Sequence, residues 1–315
     1  MSDTIKILNA MTRGVYDLQK LRIQMGLRLV ANFRAKLKEQ AGEEPPEDDE
    51  ELSAEAQSVL DRLKESYKRL TDGIARNRAL PARHGFVGDE LISTYAELTL
   101  ADEYFTLERE ESRQFRLLTG TLEEIPIYQR YLCNVRGVGP AMAAVLISRF
   151  DPHKARHPSS FWKYAGLDVG PDGRGRSRRD EHLVDREYVD RNGEIKTRRS
   201  VTFDPWLKSK LLGVLGGSFL RSKSPWAQSY LNYKHRIETD PARQKVSSEE
   251  WKKRYRAKED VTNLWTPKRI HNAALRYMVK MFLADLWKEW RTLEGLPTGP
   301  TYYEARRGYG HGEAA

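Results

Sequence analysis

Apolar residues at Leu8, Met11, Val15, Leu18, Leu21, Met25 and Leu29 recur three or four positions apart, between Asp17, Lys20, Arg22 and Arg28. That period predicts a long amphipathic helix. The stripe stops near Gln40. Beyond it lies an acidic, proline-containing run in which seven of the nine residues 43–51 are acidic, a composition that favours a solvated linker over packing. Ser53 is placed to cap a second helix, with Glu55 in its first turn and Leu60, Leu63, Tyr67, Leu70 and Ile74 at helical spacing. After LPARHGFVG a third helix is expected from Asp89 to Leu118. Three such helices in succession predict a bundle or antiparallel coiled coil over residues 1–120, with linker 42–52 inside it. Scaffolding or homo-oligomerisation is the role such helices suggest.

From residue 121 the pattern changes. TLEEIPIYQRYLCNV reads as a helix that runs into RGVGP, and AMAAVLISRF as a second helix ending at Asp151-Pro152. SFWKYAGLDVG leads to the Gly/Arg-rich PDGRGRSRRDE. HLVDREYV and EIKTRRSVTF then flank Asp190-Arg191-Asn192-Gly193, the signature of a β-hairpin. A helix is expected from Asp204-Pro205 to Leu215, interrupted by Gly216-Gly217. Another starts at Ser224-Pro225 and carries Trp226, Tyr230 and Tyr233. The basic stretch WKKRYRAKED leads to a closing helix from Pro267 to Trp290. The fold class expected is therefore mainly α. An N-terminal helical bundle or coiled coil precedes a helix-hairpin-helix domain (121–240) with one small β-hairpin. A basic segment with the closing helix (241–295) and a flexible tail (296–315) complete the chain.

Composition narrows the class. The chain has 315 residues, 39% of them hydrophobic and 10% aromatic, which is too apolar for a disordered protein. A single cysteine, Cys133, excludes a disulfide framework or a Cys-rich zinc site. No run approaches 18 apolar residues, and the N-terminus lacks a secretory apolar core, so a cytoplasmic, nucleoid-associated protein is expected. The net charge of +9 is unevenly distributed. Residues 1–120 carry 18 bases and 22 acids, whereas residues 121–291 carry 34 bases and 20 acids. Such asymmetry fits a polyanion-binding portion attached to something else, although a solvated Lys/Arg-rich surface gives the same count.

The sharpest local signal is VRGVGPAMAAVLISRF. Helix, Gly137-Val138-Gly139, helix is the pattern of a helix-hairpin-helix, in which glycines permit positive φ and expose bare amides. The second helix begins at once, so its free N-terminal N–H groups favour an anion such as a DNA phosphate. Contacts of that kind position a backbone without reading bases. Arg174, Arg176, Arg178 and Arg179 of the Gly/Arg loop, with Lys154, Arg156, Lys163, Arg198 and Arg199, extend the cationic reach. Asp180, Glu181, Asp185 and Asp190 lie among arginines and read as a salt-bridged surface. His153 and His157 lack helical continuity, and His182, His235 and His271 stand alone, so no zinc site is indicated.

These blocks resemble a known family. NVRGVGPAMAAVLISRF, SFWKYAGLDVG, KTRR and LKSKLLGVLGGSFLRSKSPWAQSYLNY, in that order, are similar to the C-terminal domain of the bridge-RNA-guided insertion-sequence transposases, which are related to Piv-type invertases. IHNAALRYMVKMFLADLW resembles the family's closing helix, with Lys280 at its lysine and Val279 in place of its arginine. The resemblance covers about residues 121–290 and implies DNA recombination, with double-stranded DNA and a guide RNA as partners. It also implies a strand-transfer serine, which falls at Ser200, or at Thr202 or Ser209 if the register slips. In the family a RuvC-like domain supplies a metal-binding carboxylate tetrad. Residues 1–120 show helical periodicity instead, so no cofactor is evident and Mg2+ enters only if a RuvC-like partner supplies its site. Three readings follow: a truncated or accessory DNA-binding protein of transposition, an active recombinase working with a RuvC-like partner, or a structural oligomerising protein.

Overall fold

Helical periodicity carries over into the structure. The computed structural model describes residues 3–37, 53–71, 80–170 and 172–299. The acidic run 43–51, Ile74 of the second helix's expected stripe and the end of the tail, from residue 300, lie outside them. The chain divides into a unit spanning Lys6–Thr121 and a second containing everything from Leu122 together with the first five residues.

In the N-terminal unit, α1 spans Asp3–Leu37, α2 Ala54–Leu70 and α3 Tyr95–Leu122. Ser53 caps α2, its hydroxyl accepting from the Ala56 amide at 3.2 Å. The third helix begins six residues later than its apolar pattern suggests. Asp89 holds a turn by accepting from the Leu91 and Ile92 amides. Thr94 and Glu97 then form a reciprocal capping box. Leu29, Val30 and Phe33 of α1 meet Val59, Leu60, Leu63 and Tyr67 of α2 and Leu98, Ala101, Tyr104 and Phe105 of α3 in one apolar core. Leu21 does not join the buried face. It is 52% exposed, and Ile23 is buried in its place, because a stripe read at a fixed spacing drifts around a helix of 3.6 residues per turn.

Asp89 ties this unit together through Ser66 at 2.6 Å and Arg69 at 3.0 Å. Burial alone raises its carboxyl pKa, but the hydrogen bonds from Ser66, the Ile92 amide, Arg69 and the Leu91 amide outweigh it and hold the pKa at about 2. The stabilisation is therefore complete above the ordinary carboxylate value near 3.8 and is lost as pH falls through about 2. Asp89→Ala is expected to lower the unit's stability by about 2 kcal/mol at pH 7. Urea unfolding should show that difference shrinking toward zero near pH 2; a difference independent of pH would remove the carboxylate from the account.

In the second unit, α4 (Pro126–Arg130), a 3-10 turn (Leu132–Asn134), α5 (Pro140–Arg149) and α6 (Pro158–Tyr164) come first. The single expected helix TLEEIPIYQRYLCNV is thus broken, since Pro126 starts a new helix at its first position. A two-stranded antiparallel hairpin follows, β1 (Val184–Val189) against β2 (Ile195–Ser200), in register from Val184↔Ser200 to Val189↔Ile195. Its strand residues are exposed except for Ser200. Next come α7 (Pro205–Ser209), a π-helical stretch (Lys210–Leu215), α8 (Gly216–Arg221), α9 (Ala227–Thr239), α10 (Ser248–Arg256) and α11 (Pro267–Leu293). Gly216-Gly217 do not interrupt the helix as expected: the π stretch leads directly into α8, and Gly216 lies buried under Leu275. The basic stretch after Ser247 is itself helical, capped by the Ser247 hydroxyl on the Glu250 amide.

The core of this unit is built on α11, which packs against α4, α6, α8 and α9. Phe219 and Trp226 stack at 5.3 Å, and Phe282 meets both edge-on. Trp287 donates to the Ala155 carbonyl at 2.7 Å, and Arg291 donates to the Pro152 and Ala155 carbonyls. These bonds fasten the segment after α5 to α11. Every residue of α5 from Met142 to Ser148 is buried, as expected of a helix apolar on all sides. The described structure is thus mainly helical with one small hairpin, and none of its helices is long and apolar enough to cross a membrane.

Candidate nucleic-acid interface

Gly137 adopts φ +95° in the turn before α5, a conformation suited to glycine. The turn is pinned from outside: the Ser218 hydroxyl donates to the Gly137 carbonyl at 2.8 Å. A Cβ on Gly137 would lie 2.7 Å from the Ser222 hydroxyl and 2.8 Å from the Phe219 ring. Gly139 differs. It is the N-cap of α5 at φ −86°, exposed, and a Cβ there would meet open space. Helix geometry leaves the amides of Gly139, Ala141 and Met142 without intrahelical acceptors. Exposed Arg136, Arg221 and Lys223 flank this turn and the α8 residues packed on it, a basic rim that the spacing of the Gly/Arg loop did not single out.

The Gly/Arg loop is folded. Val169 and Gly175 form a bridge, and Arg176 pairs with Asp168 at 3.0 Å. His182 does not stand alone. Buried, it accepts from the Ser177 amide at 3.0 Å through Nδ1, while Nε2 lies 3.3 Å from Asp172. This anchoring brings Arg174, Arg176 and Arg179 beside residues of other elements that the sequence reading passed over. Arg276 of α11 presses against the loop backbone so closely that a Cβ on Gly175 would fall 1.9 Å from its Nη1. The Lys208 ammonium of α7 donates to the Arg176 carbonyl and lies 4.8 Å over the Phe203 ring. Arg243 and Arg269 cover the Trp265 ring at 4.4 and 4.3 Å.

The electrostatics of this assembly are unfavourable. Burial first, then Arg276, lowers the Lys208 pKa to about 8, against the pull of Asp168. Burial also lowers the Arg276 pKa, and burial followed by Arg276 lowers that of Lys280. Arg269 is lowered by burial and then by Arg174, Arg243, Arg179 and Arg276. Asp168, the carboxylate that acts on Lys208, Arg276 and Lys280, is already engaged by Arg176.

The other expected cations are dispersed. Lys154 is exposed and pairs with Asp151 at 3.7 Å, while Arg156, Lys163 and Arg178 are exposed. Arg198 stacks on Tyr188 at 5.1 Å, and Arg199 turns to Asp180 at 3.3 Å. Ser200 ends β2 opposite Val184, and its hydroxyl is buried without a hydrogen-bond partner among the described residues. Thr202 is exposed, and the Ser209 hydroxyl donates to the Pro205 carbonyl. Asp180 pairs with Arg199 and Asp190 with Lys196, so these carboxylates are occupied by cations. Among the described residues no three His, Cys, Asp or Glu side chains converge as metal ligands. Compared with protein-family models, curated proteins and solved structures, the chain matches none.

Proposed function

We propose that this chain binds double-stranded DNA through its phosphate backbone, as an accessory component of a recombination system related to the insertion-sequence transposases. The observation that carries the proposal is the Gly137-Val138-Gly139 turn. Gly137 is locked against α8, whereas Gly139 faces open space at the N-terminus of α5. Amides held in that way favour an anion without any side chain, and Arg136, Arg221 and Lys223 add charge beside it. The ordered blocks that resemble the transposase domain supply the biological setting. Strand transfer by Ser200 is not proposed, because its hydroxyl is buried and Arg198 and Arg199 are engaged elsewhere.

Gly139→Glu tests the proposal without disturbing packing, since the added side chain enters solvent. It is expected to weaken binding to a labelled duplex at least tenfold at 100 mM salt, with the helical circular dichroism signal unchanged. Wild-type affinity should fall linearly in a log–log plot against salt. Unchanged affinity in the variant removes the turn from the interface, and an absence of salt dependence removes the backbone reading.

A further inference from the structure

The half-buried cations around α11 lack the anions that normally accompany them. Arg174, Lys208, Arg269, Arg276 and Lys280 have no carboxylate within 4 Å among the described residues. Removing a cation from water is costly unless a counter-charge offsets it. The group is nevertheless held rigidly. Arg276 is pressed against Gly175, Lys208 is fixed by the Arg176 carbonyl, and Arg269 donates to the Thr262 and Leu264 carbonyls at 2.7 Å. Cations preorganised at such a cost form a site whose counter-ion comes from outside the chain. Forked guanidinium donors suit phosphate in particular.

We infer that the face where the Arg174–Arg179 loop lies over α7 and α11 holds a phosphate group, with Lys208 and Arg276 as its ligands; Arg179, paired with Asp172 at 3.3 Å, borders it. This rests on the DNA-binding reading insofar as the phosphate belongs to a duplex backbone, and it adds a second phosphate contact to that of the Gly137 turn. A bound anion further favours the charged form of Lys208, which faces Arg276 of α11, Arg179 and the Arg176 carbonyl of the loop, Asp168, and the Phe203 ring. Affinity is therefore expected to weaken as pH rises through about 8.

The test uses the full chain with two probes, a labelled duplex and inorganic pyrophosphate, at matched ionic strength. Arg276→Met is expected to weaken duplex binding at least tenfold and to lower the salt slope by about one. It should also leave the melting temperature equal or higher, because an uncompensated cation is removed. Gly175→Ala, which displaces the guanidinium while keeping its charge, should weaken binding in the same direction. Pyrophosphate should raise the melting temperature of the wild type but not of Arg276→Met. If Arg276→Met leaves duplex affinity and slope unchanged while Gly139→Glu still weakens binding, the phosphate site is overturned and the DNA-binding reading survives. If no duplex binds but pyrophosphate stabilises only the wild type, the site stands, and a free phosphate compound is its ligand.

Discussion

Trp287→Ala is expected to destabilise the C-terminal unit by about 3–5 kcal/mol. The indole is 1% exposed and is a central part of the α11 core. Its N–H donates to the Ala155 carbonyl, and the Arg291 guanidinium lies 5.3 Å from the ring. Truncation removes the apolar burial, opens a cavity between α11 and the segment after α5, and deprives Arg291 of its platform. Ala155 retains the Arg291 bond at 3.1 Å, so the cavity dominates over the lost hydrogen bond. Trp287→Phe keeps most of the ring and should cost about 1–2 kcal/mol, chiefly the N–H bond. Chemical denaturation followed by the tryptophan near-ultraviolet signal measures both. A loss below about 1 kcal/mol for the alanine variant would mean that the ring does not organise the core.

The outline of this fold was legible because most of its helices are amphipathic and signal themselves by period. α1, α2 and α11 lie where their stripes place them, and the hairpin lies where two β-favouring runs flank Asp190–Gly193. The structure departs from the period where local chemistry overrides it. Pro126 divides a continuous apolar pattern, the Thr94–Glu97 box moves the start of α3, and Gly216-Gly217 remain helical, with Leu275 packed over Gly216.

The candidate site was legible only in part. The sequence displays Gly137, Gly139 and the run of arginines from Arg174 to Arg179, since both lie within short segments. Arg243, Arg269 and Arg276 are far from that run and meet it only when the loop folds onto α11. One signal was available in the sequence. Arg276 and Lys280 stand four apart among Ala273, Ala274, Leu275, Met278 and Val279, so two cations interrupt an otherwise apolar helix face. Charge placed in that way is uncommon in a core helix and marks a site to be explained. Conversely, Arg198 and Arg199 extend the basic run in sequence, yet strand alternation sends them to opposite faces of the hairpin.

Substituting the two glycines of the turn separately is expected to divide folding from binding. Gly137→Ala forces an L residue into φ +95°, which costs about 1–2 kcal/mol. It also drives a methyl to within 2.8 Å of Phe219 and Ser222, and overpacking of this kind adds about 1–3 kcal/mol. Phe219 cannot yield easily, since it is stacked on Trp226 and meets Phe282 edge-on. The C-terminal unit should therefore lose about 3 kcal/mol, which for a domain of this size lowers its melting temperature by roughly 10 °C. Gly139→Ala meets neither obstacle, for its φ is −86° and its Cβ enters open space. Its cost is a weaker N-cap, about 1 kcal/mol or less. Thermal melts of the two variants should thus differ by several degrees. Equal melting temperatures would show that Gly137 is not packed against α8, and that the turn's rigidity, on which its proposed use as a phosphate contact depends, has some other origin.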